Sequence, residues 1–475
     1  MSARLARVAL LLATLVVPAA CGARLTNQQV TALRAEHTAQ AANGESATPG
    51  DALGDGGTSA TTLAAGPASN GSTAATTGGQ QRAAGIDVHA APAGGNGGAT
   101  DVGVTPTQIT LGNVSTLTGP VPGLFAGATV GTQAAVAYEN SLGGLFGRKF
   151  KLDARDDQFD SGQNGAQTRD LISKAFAIAG SFSLYDDAPA NDIRAAAVPD
   201  VSQGLNAARV EVPTNFSINP AVRGAPLGPF NYFKQHFPDA VTAVGSIYVD
   251  IPSAVVLYQD YKKAAQQDGY VFKYDRRFGA TETDFTSDVV RMRNAGVKMV
   301  YLLSVDDATT ARFAKAMRSQ NFTPQVFAVN ASGYDPDVIT LAGSAAEGMY
   351  VPMELSMFSG EDASVLPEVA LMNKWVQIVK PGFKADTYTA YGWGSGRLLF
   401  DAMERVGPKL TRGAVNAAIR QIGDYNDRGM FATANPGSKN PATCFIIARV
   451  SGGKYERYDS PPSTFRCGDG PFDFQ

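Results

Sequence analysis

Nucleophiles, acid–base groups and metal ligands are scarce in this sequence. Its 475 residues include three histidines, His37, His89 and His236, and three cysteines, Cys21, Cys444 and Cys467. His37 and His89 fall in an N-terminal region of low complexity, which leaves His236, in FKQHFPD, for a globular part. A Ser-His-Asp triad or a His-rich zinc site would have to use that one residue. A histidine closing a helical run is more simply an exposed group favoured near a helix C-terminus. There is no C-x-x-C spacing for a metal and no nucleophile elbow for a hydrolase. Two glycine runs are not phosphate loops. GGLFGRK (143–149) lacks the Gly-Lys-Ser/Thr ending and precedes a strand, so it reads as a tight turn. GWGSG (392–396) lies in a helical run, where small residues permit close packing, and Tyr388, Tyr391 and Trp393 around it read as core, with one of them lining a ligand cleft as the alternative. With Lys+Arg 40 against Asp+Glu 43, the chain also lacks the basic excess of a nucleic-acid binder.

The N-terminus reads as an export signal over residues 1–20. Arg4 and Arg7 precede a ten-residue apolar run, VALLLATLVV (8–17), too short for a membrane span of about 20 residues. It ends in PAAC, similar to a bacterial lipobox, in which the cysteine is lipidated and becomes the mature N-terminus; Pro18 stands where leucine is usual. Lipidation of Cys21 is therefore expected, with ordinary cleavage after Ala20 as the alternative. A lipidated Cys21 leaves Cys444 and Cys467 as a pair in a compartment where disulfides persist. Such a bridge closes a loop of about two dozen residues and contributes about 3 kcal/mol; two free buried thiols are the alternative.

Residues 21–100 are expected to be a disordered tether. From Ala41 to Thr100 the chain is almost wholly Ala, Gly, Ser, Thr, Asn and Pro, and 14 of its 51 glycines fall there. So few large apolar side chains cannot offset the entropy of ordering. A flexible chain of about 70–80 residues spans about 45–50 Å, enough to hold a folded body off a membrane.

From Val102 the pattern becomes that of βαβ units. Strand-like runs at 108–115, 149–157, 176–183 and 198–204 alternate with helical runs at 127–142, 164–175 and 187–197. The rhythm returns with strands at 241–248, 271–278, 298–304 and 325–330 and helices at 254–269, 284–296 and 307–320. Two doubly wound α/β domains are implied, and such sheets bind ligands beyond the C-terminal strand ends.

These residues resemble the type I periplasmic solute-binding proteins of the leucine/isoleucine/valine-binding kind, which serve ABC importers. The resemblance runs over 105–475, through TLTGP (116–120), NSLGGLFGRKFKLDARDDQFDSGQNGAQTRDLI (140–172), FAIAGSFS (176–183), TETDFTSDVVRMRNAGVKMVYLL (281–303), LAGSAAEGMYV (341–351), TYTAYGWGSGRLLFDAMERVG (387–407) and RGMFATANPGSKNPATCFIIARVSGGKYERY (428–458). It implies two parallel-sheet lobes joined by three crossings. The first lobe would take 101–225 and 351–425, the second 226–350 and 426–475, with solute held in the cleft between them.

The resemblance also implies the contacts. In the first lobe, Thr118, Ser181-Phe182-Ser183 and Ser202 with Gly204 and Asn206 would offer hydroxyls and backbone donors to a carboxylate. Ser181 and Ser183 could equally cap the next helix. In the second lobe Tyr248, Asp306 and Asn330 would meet the rest of the solute, with capping again the alternative for Asp306. VDIPSA (249–254) after Tyr248 and Asn206 in place of a threonine depart from the family pattern, so amides and small or aromatic acids stand beside amino acids as ligands. The implied protein is a non-catalytic, membrane-tethered receptor with no cofactor that passes a small polar solute to a permease. The same fold acting as a sensor is the alternative, ahead of an exported hydrolase.

Overall fold

The computed structural model describes residues 87–220, 224–458 and 461–467, and the backbone of 471–472. The export signal, Cys21 and the tether to residue 86 lie outside the described residues.

The first lobe is built on β1 (Gln108–Ser115), β2 (Lys149–Asp156), β3 (Ala177–Ala179), β4 (Asp200–Val201) and β5 (Asn215–Phe216). All pair in parallel, in the order β2-β1-β3-β4-β5. The chain leaves through β6 (Ala225–Pro226) into β7 (Val244–Val249), β8 (Phe272–Phe278), β9 (Met299–Leu302), β10 (Val326–Val329) and β11 (Tyr350–Met353). These are also parallel, in the order β8-β7-β9-β10-β11, so the two lobes share one topology. Central strands such as β9, MVYL, are buried on both faces and apolar throughout, whereas the edge strand β8, FKYDRRF, alternates.

The second sheet is not purely parallel. β12 (Cys444–Ser451) and β13 (Lys454–Arg457) extend it antiparallel beyond β11. β14 (Arg466–Cys467) lies against β12, and β15 (Pro471–Phe472) against β6. Cys444 and Cys467 face each other in that register and are disulfide-bonded.

Because β11 belongs to the second sheet, the second crossing begins at Glu354 rather than at 351. It pairs with the third: Ala432 N donates to Glu354 O at 2.8 Å and Ser356 N to Met430 O at 2.8 Å. The first crossing joins them through Asn219 Oδ1, which accepts from Ala442 N at 2.8 Å. In the first lobe the Ala126–Leu142 and Thr387–Val406 helices touch backbone to backbone. A Cβ on Gly131 would stand 2.0 Å from Thr389 O, and one on Gly392 2.0 Å from Ala128 O, which is the packing role of the glycines in GWGSG.

The start of the body also differs from expectation. Residues 87–100, placed in the tether by composition, lie against the first lobe around the fully buried Arg148. Its guanidinium donates to Asn96 O at 2.5 Å, Gly98 O at 2.9 Å, Thr105 O at 2.8 Å and Pro408 O at 2.9 Å. Apolar content misses this segment because backbone carbonyls held by a buried cation order it. His89 is consequently part of the folded body, its Nδ1 2.8 Å from Gly144 O.

Candidate functional site

Loops from the C-terminal ends of both parallel sheets face one another across the crossings. In each lobe the strand order reverses beside the first strand, at β1/β3 and at β7/β9, which is where doubly wound sheets open a crevice. A cavity of about 400 Å³ fills the space, within the range for small-molecule sites.

The expected site residues divide. Phe182, Gly204, Asn206, Asp306 and Asn330 line the cavity. Ser181, Ser183 and Ser202 lie beneath it, knitting the strand ends together. Ser181 Oγ accepts from Val114 N at 3.0 Å, Ser202 Oγ accepts from Ser181 N at 3.1 Å, and Ser183 Oγ donates to Asp157. Neither serine caps the following helix. Successive residues of an extended run point opposite ways, so with both serines turned inward the ring of Phe182 faces the cleft. Thr118 is exposed, its hydroxyl donating to Asp156 Oδ2 at 2.5 Å. Tyr248 points away from the cavity and stacks on Tyr258 at 3.8 Å, while its neighbour Val249 lines the wall.

Polar lining groups have work within the fold. Asn206 Nδ2 donates to Asp186 Oδ1 at 2.6 Å, and Leu205 N to Asp186 Oδ2 at 2.7 Å. Burial pushes the Asp186 carboxyl up to about 6, against the pull of Arg209 and these bonds. Asp306 caps the Asp307–Ser319 helix, accepting from Thr309 N at 2.8 Å, as the alternative reading expects. Asn330 Oδ1 accepts from Ser332 Oγ at 3.1 Å.

The structure adds an aromatic wall that sequence reasoning placed in the core. Trp393 is buried, but Tyr388 and Tyr391 line the cavity. They stand near one turn apart at the start of the Asp386-capped Thr387–Val406 helix. Phe125, Phe182 and Tyr388 meet edge-on or tilted at 4.9–5.4 Å between ring centres. Tyr261 and Tyr301 line the opposite lobe. Glu354, at the second crossing, also lines the cavity and accepts a hydrogen bond from the Tyr391 hydroxyl. Burial, with Glu354 adjacent, holds that phenol well above its usual pKa. The Y-x-x-Y spacing in TYTAY, a shared helix face behind an Asp cap, was the available signal. Nothing local marks Glu354.

The lining is more apolar than a small polar solute requires. Its charged members among the described residues are Glu211, Asp260, Asp306 and Glu354, with no Lys, Arg or His. Behind Asp306, carboxylate oxygens of Asp307, Asp335 and Asp337 come within 4.8 Å of one another. Asp335 caps a helix and Lys384 pairs with Asp337 at 3.0 Å, so structural roles account for these two.

The family model described as "Periplasmic binding protein" matches residues 108–454, and the chain belongs to this family. Its fold is that of the type I members. Among solved structures it is similar to a fatty acid ABC transporter substrate-binding protein from Thermomonospora curvata. The two share 20% identity at a TM-score of 0.65, over 77% of this chain and 98% of that one. A branched-chain amino acid ABC transporter protein from Thermus thermophilus with bound valine is similar at 17% identity and TM-score 0.66, over 78% and 97%. A leucine-binding protein from Thermotoga maritima follows at 15% identity and 0.61, over 74% and 97%. No curated protein matches by sequence. Among the described residues no helix is long and apolar enough to cross a membrane.

Proposed function

We propose that this protein is an extracytoplasmic solute receptor, tethered to the outer face of the cytoplasmic membrane through lipid on Cys21, that delivers its solute to an ABC permease. One observation carries the reading: a 400 Å³ cavity opens where both sheets reverse their strand order, between lobes joined by three crossings. Phe182, Gly204, Asn206, Asp306 and Asn330 are the solute contacts from the expected set, joined by Tyr388 and Tyr391. Ser181, Ser183 and Ser202 shape the loops from beneath. The lobes close because bound solute favours the closed form over the open one.

Mass spectrometry of protein purified natively from its host tests this directly. The expected result is a stoichiometric small solute whose uptake falls when the gene is deleted. Retained uptake together with altered expression of other genes would move the protein to sensing, and turnover of the solute would make it an enzyme. For the anchor, labelled fatty acid should enter the wild-type protein and not a Cys21→Ala variant.

A further inference from the structure

The cleft chemistry narrows the solute, given the receptor reading above. A carboxylate entering an apolar cavity must exchange water for hydroxyls, backbone donors or a cation. The three serine hydroxyls that the resemblance assigned to that task, Ser181, Ser183 and Ser202, are buried and engaged beneath the floor. Among the described lining residues no Lys, Arg or His replaces them.

Negative charge, in contrast, faces the cavity with no basic partner among the described residues. No Lys or Arg of the described residues lies within ion-pair distance of Glu354, Asp306 or Asp260. Glu354 accepts from the Tyr391 hydroxyl, Asp306 from Thr309, and Asp260 from Gly224 N at 3.3 Å. An ionised carboxylate can accept more bonds than these. Around Glu354 the wall is aromatic: Tyr391 touches it, and its charge helps burial raise the Tyr261 phenol from across the cleft. Aromatic faces beside a carboxylate attract a cation through the ring quadrupole as well as through charge.

We propose that the cleft selects an apolar solute that carries a cationic nitrogen, an amine or quaternary ammonium, and no carboxylate. Glu354 is the charge partner, Tyr261 and Tyr391 flank the cation, and Phe182 and Tyr388 take the apolar body. Because Glu354 sits on a crossing between the lobes, pairing with it acts at the hinge itself.

Two matched probe sets test the assignment by calorimetry on the full chain: phenethylamine, 2-phenylethanol, 3-phenylpropanoate and phenylalanine, then decylamine, decanol and decanoate. The amine of at least one set should bind at least about tenfold tighter than its carboxylate partner, with the alcohol between them. Glu354→Gln should remove most of that margin and leave the alcohol unchanged; Tyr261→Leu, which removes the ring, should weaken the amine more than the alcohol. Arg223 lies outside the described residues, so Arg223→Ala is included and should not alter amine affinity. Tightest binding by a carboxylate or by phenylalanine overturns the cation assignment while the receptor reading stands, as does an anionic, neutral or zwitterionic solute released from native protein. No heat with any probe and no released solute overturns both. If Glu354→Gln does not fold, the wild-type ranking of amine against carboxylate decides alone.

Discussion

Ser253 Oγ donates to the carbonyl of Leu184 across 3.2 Å, tying the second lobe to the first at the mouth of the cavity. Ser253 opens the Pro252–Gln267 helix, and Leu184 follows the Ser181–Ser183 loop. Both residues also line the cleft. A second bond joins the lobes, from Thr387 Oγ1 to Ala331 O at 2.8 Å. Side-chain hydrogen bonds therefore latch the lobes together beside the site.

A Ser253→Ala variant removes the first of these bonds without touching either sheet. A neutral hydrogen bond is worth about 0.5–1.5 kcal/mol net. If it forms only when the lobes close, solute affinity should fall by about 2- to 10-fold. The fold should be unaffected, so circular dichroism and the unfolding midpoint of solute-free protein should match wild type. Small-angle scattering should show the solute-bound variant populating a more open form.

The disulfide joins the start of β12 to β14, at a sequence separation of 23. Constraining a loop of that size contributes about 3 kcal/mol. Cys444 also lines the cavity, and the chain beyond Cys467 pairs with β6 in the first crossing. Cys444→Ser with Cys467→Ser should lower stability by that amount in denaturant titrations. Proteolysis should then begin at the C-terminal segment.

Stability should fall as pH rises through the acidic and neutral range. Burial, with Asp386 nearby, pushes the Asp335 carboxyl up to about 8, and burial takes Asp186 and Asp386 up to about 6. A carboxyl whose folded pKa is raised holds its proton in the folded state after the unfolded chain has lost it. Its stabilising share is thus present at low pH and is lost as pH rises from about 4 towards the folded value. Asp335→Asn keeps a capping side chain and removes the ionisation. Its melting temperature should exceed wild type at pH 8, and its profile between pH 4 and 8 should be flatter. Equal slopes would count against this assignment.

Arg148 should decide whether residues 87–100 stay on the body. Replacing it with methionine keeps volume but strands four carbonyls, Asn96, Gly98, Thr105 and Pro408. At about 1–3 kcal/mol for each buried group left unpaired, the loss should be several kcal/mol. Hydrogen exchange in 87–100 should accelerate more than in β1 or β2. Uniform acceleration across the lobe would mean that the segment is not separately held.

Much of this molecule was legible from the amino-acid order alone. Apolar runs of strand length between amphipathic helices foretold the two βαβ lobes, because periodicity is local and each element carries its own pattern. The same was true of small residues in GWGSG, which let two helices meet at Gly131 and Gly392. The site was legible only as loops. Ser181 and Ser183 looked like receptors for a carboxylate, yet the end of the sheet draws both inward and leaves Phe182 in the cleft. Tyr388 and Tyr391 looked like core until the opposing lobe showed a cavity in front of them. Glu354 had no local signature, since its role arises from a crossing that brings it beside a tyrosine 37 positions later. Sequence determined which segments are strands, helices and turns. Which face of each loop meets the cleft, and which charges lie there unbalanced, were decided by contacts between distant segments that only the packed tertiary structure creates.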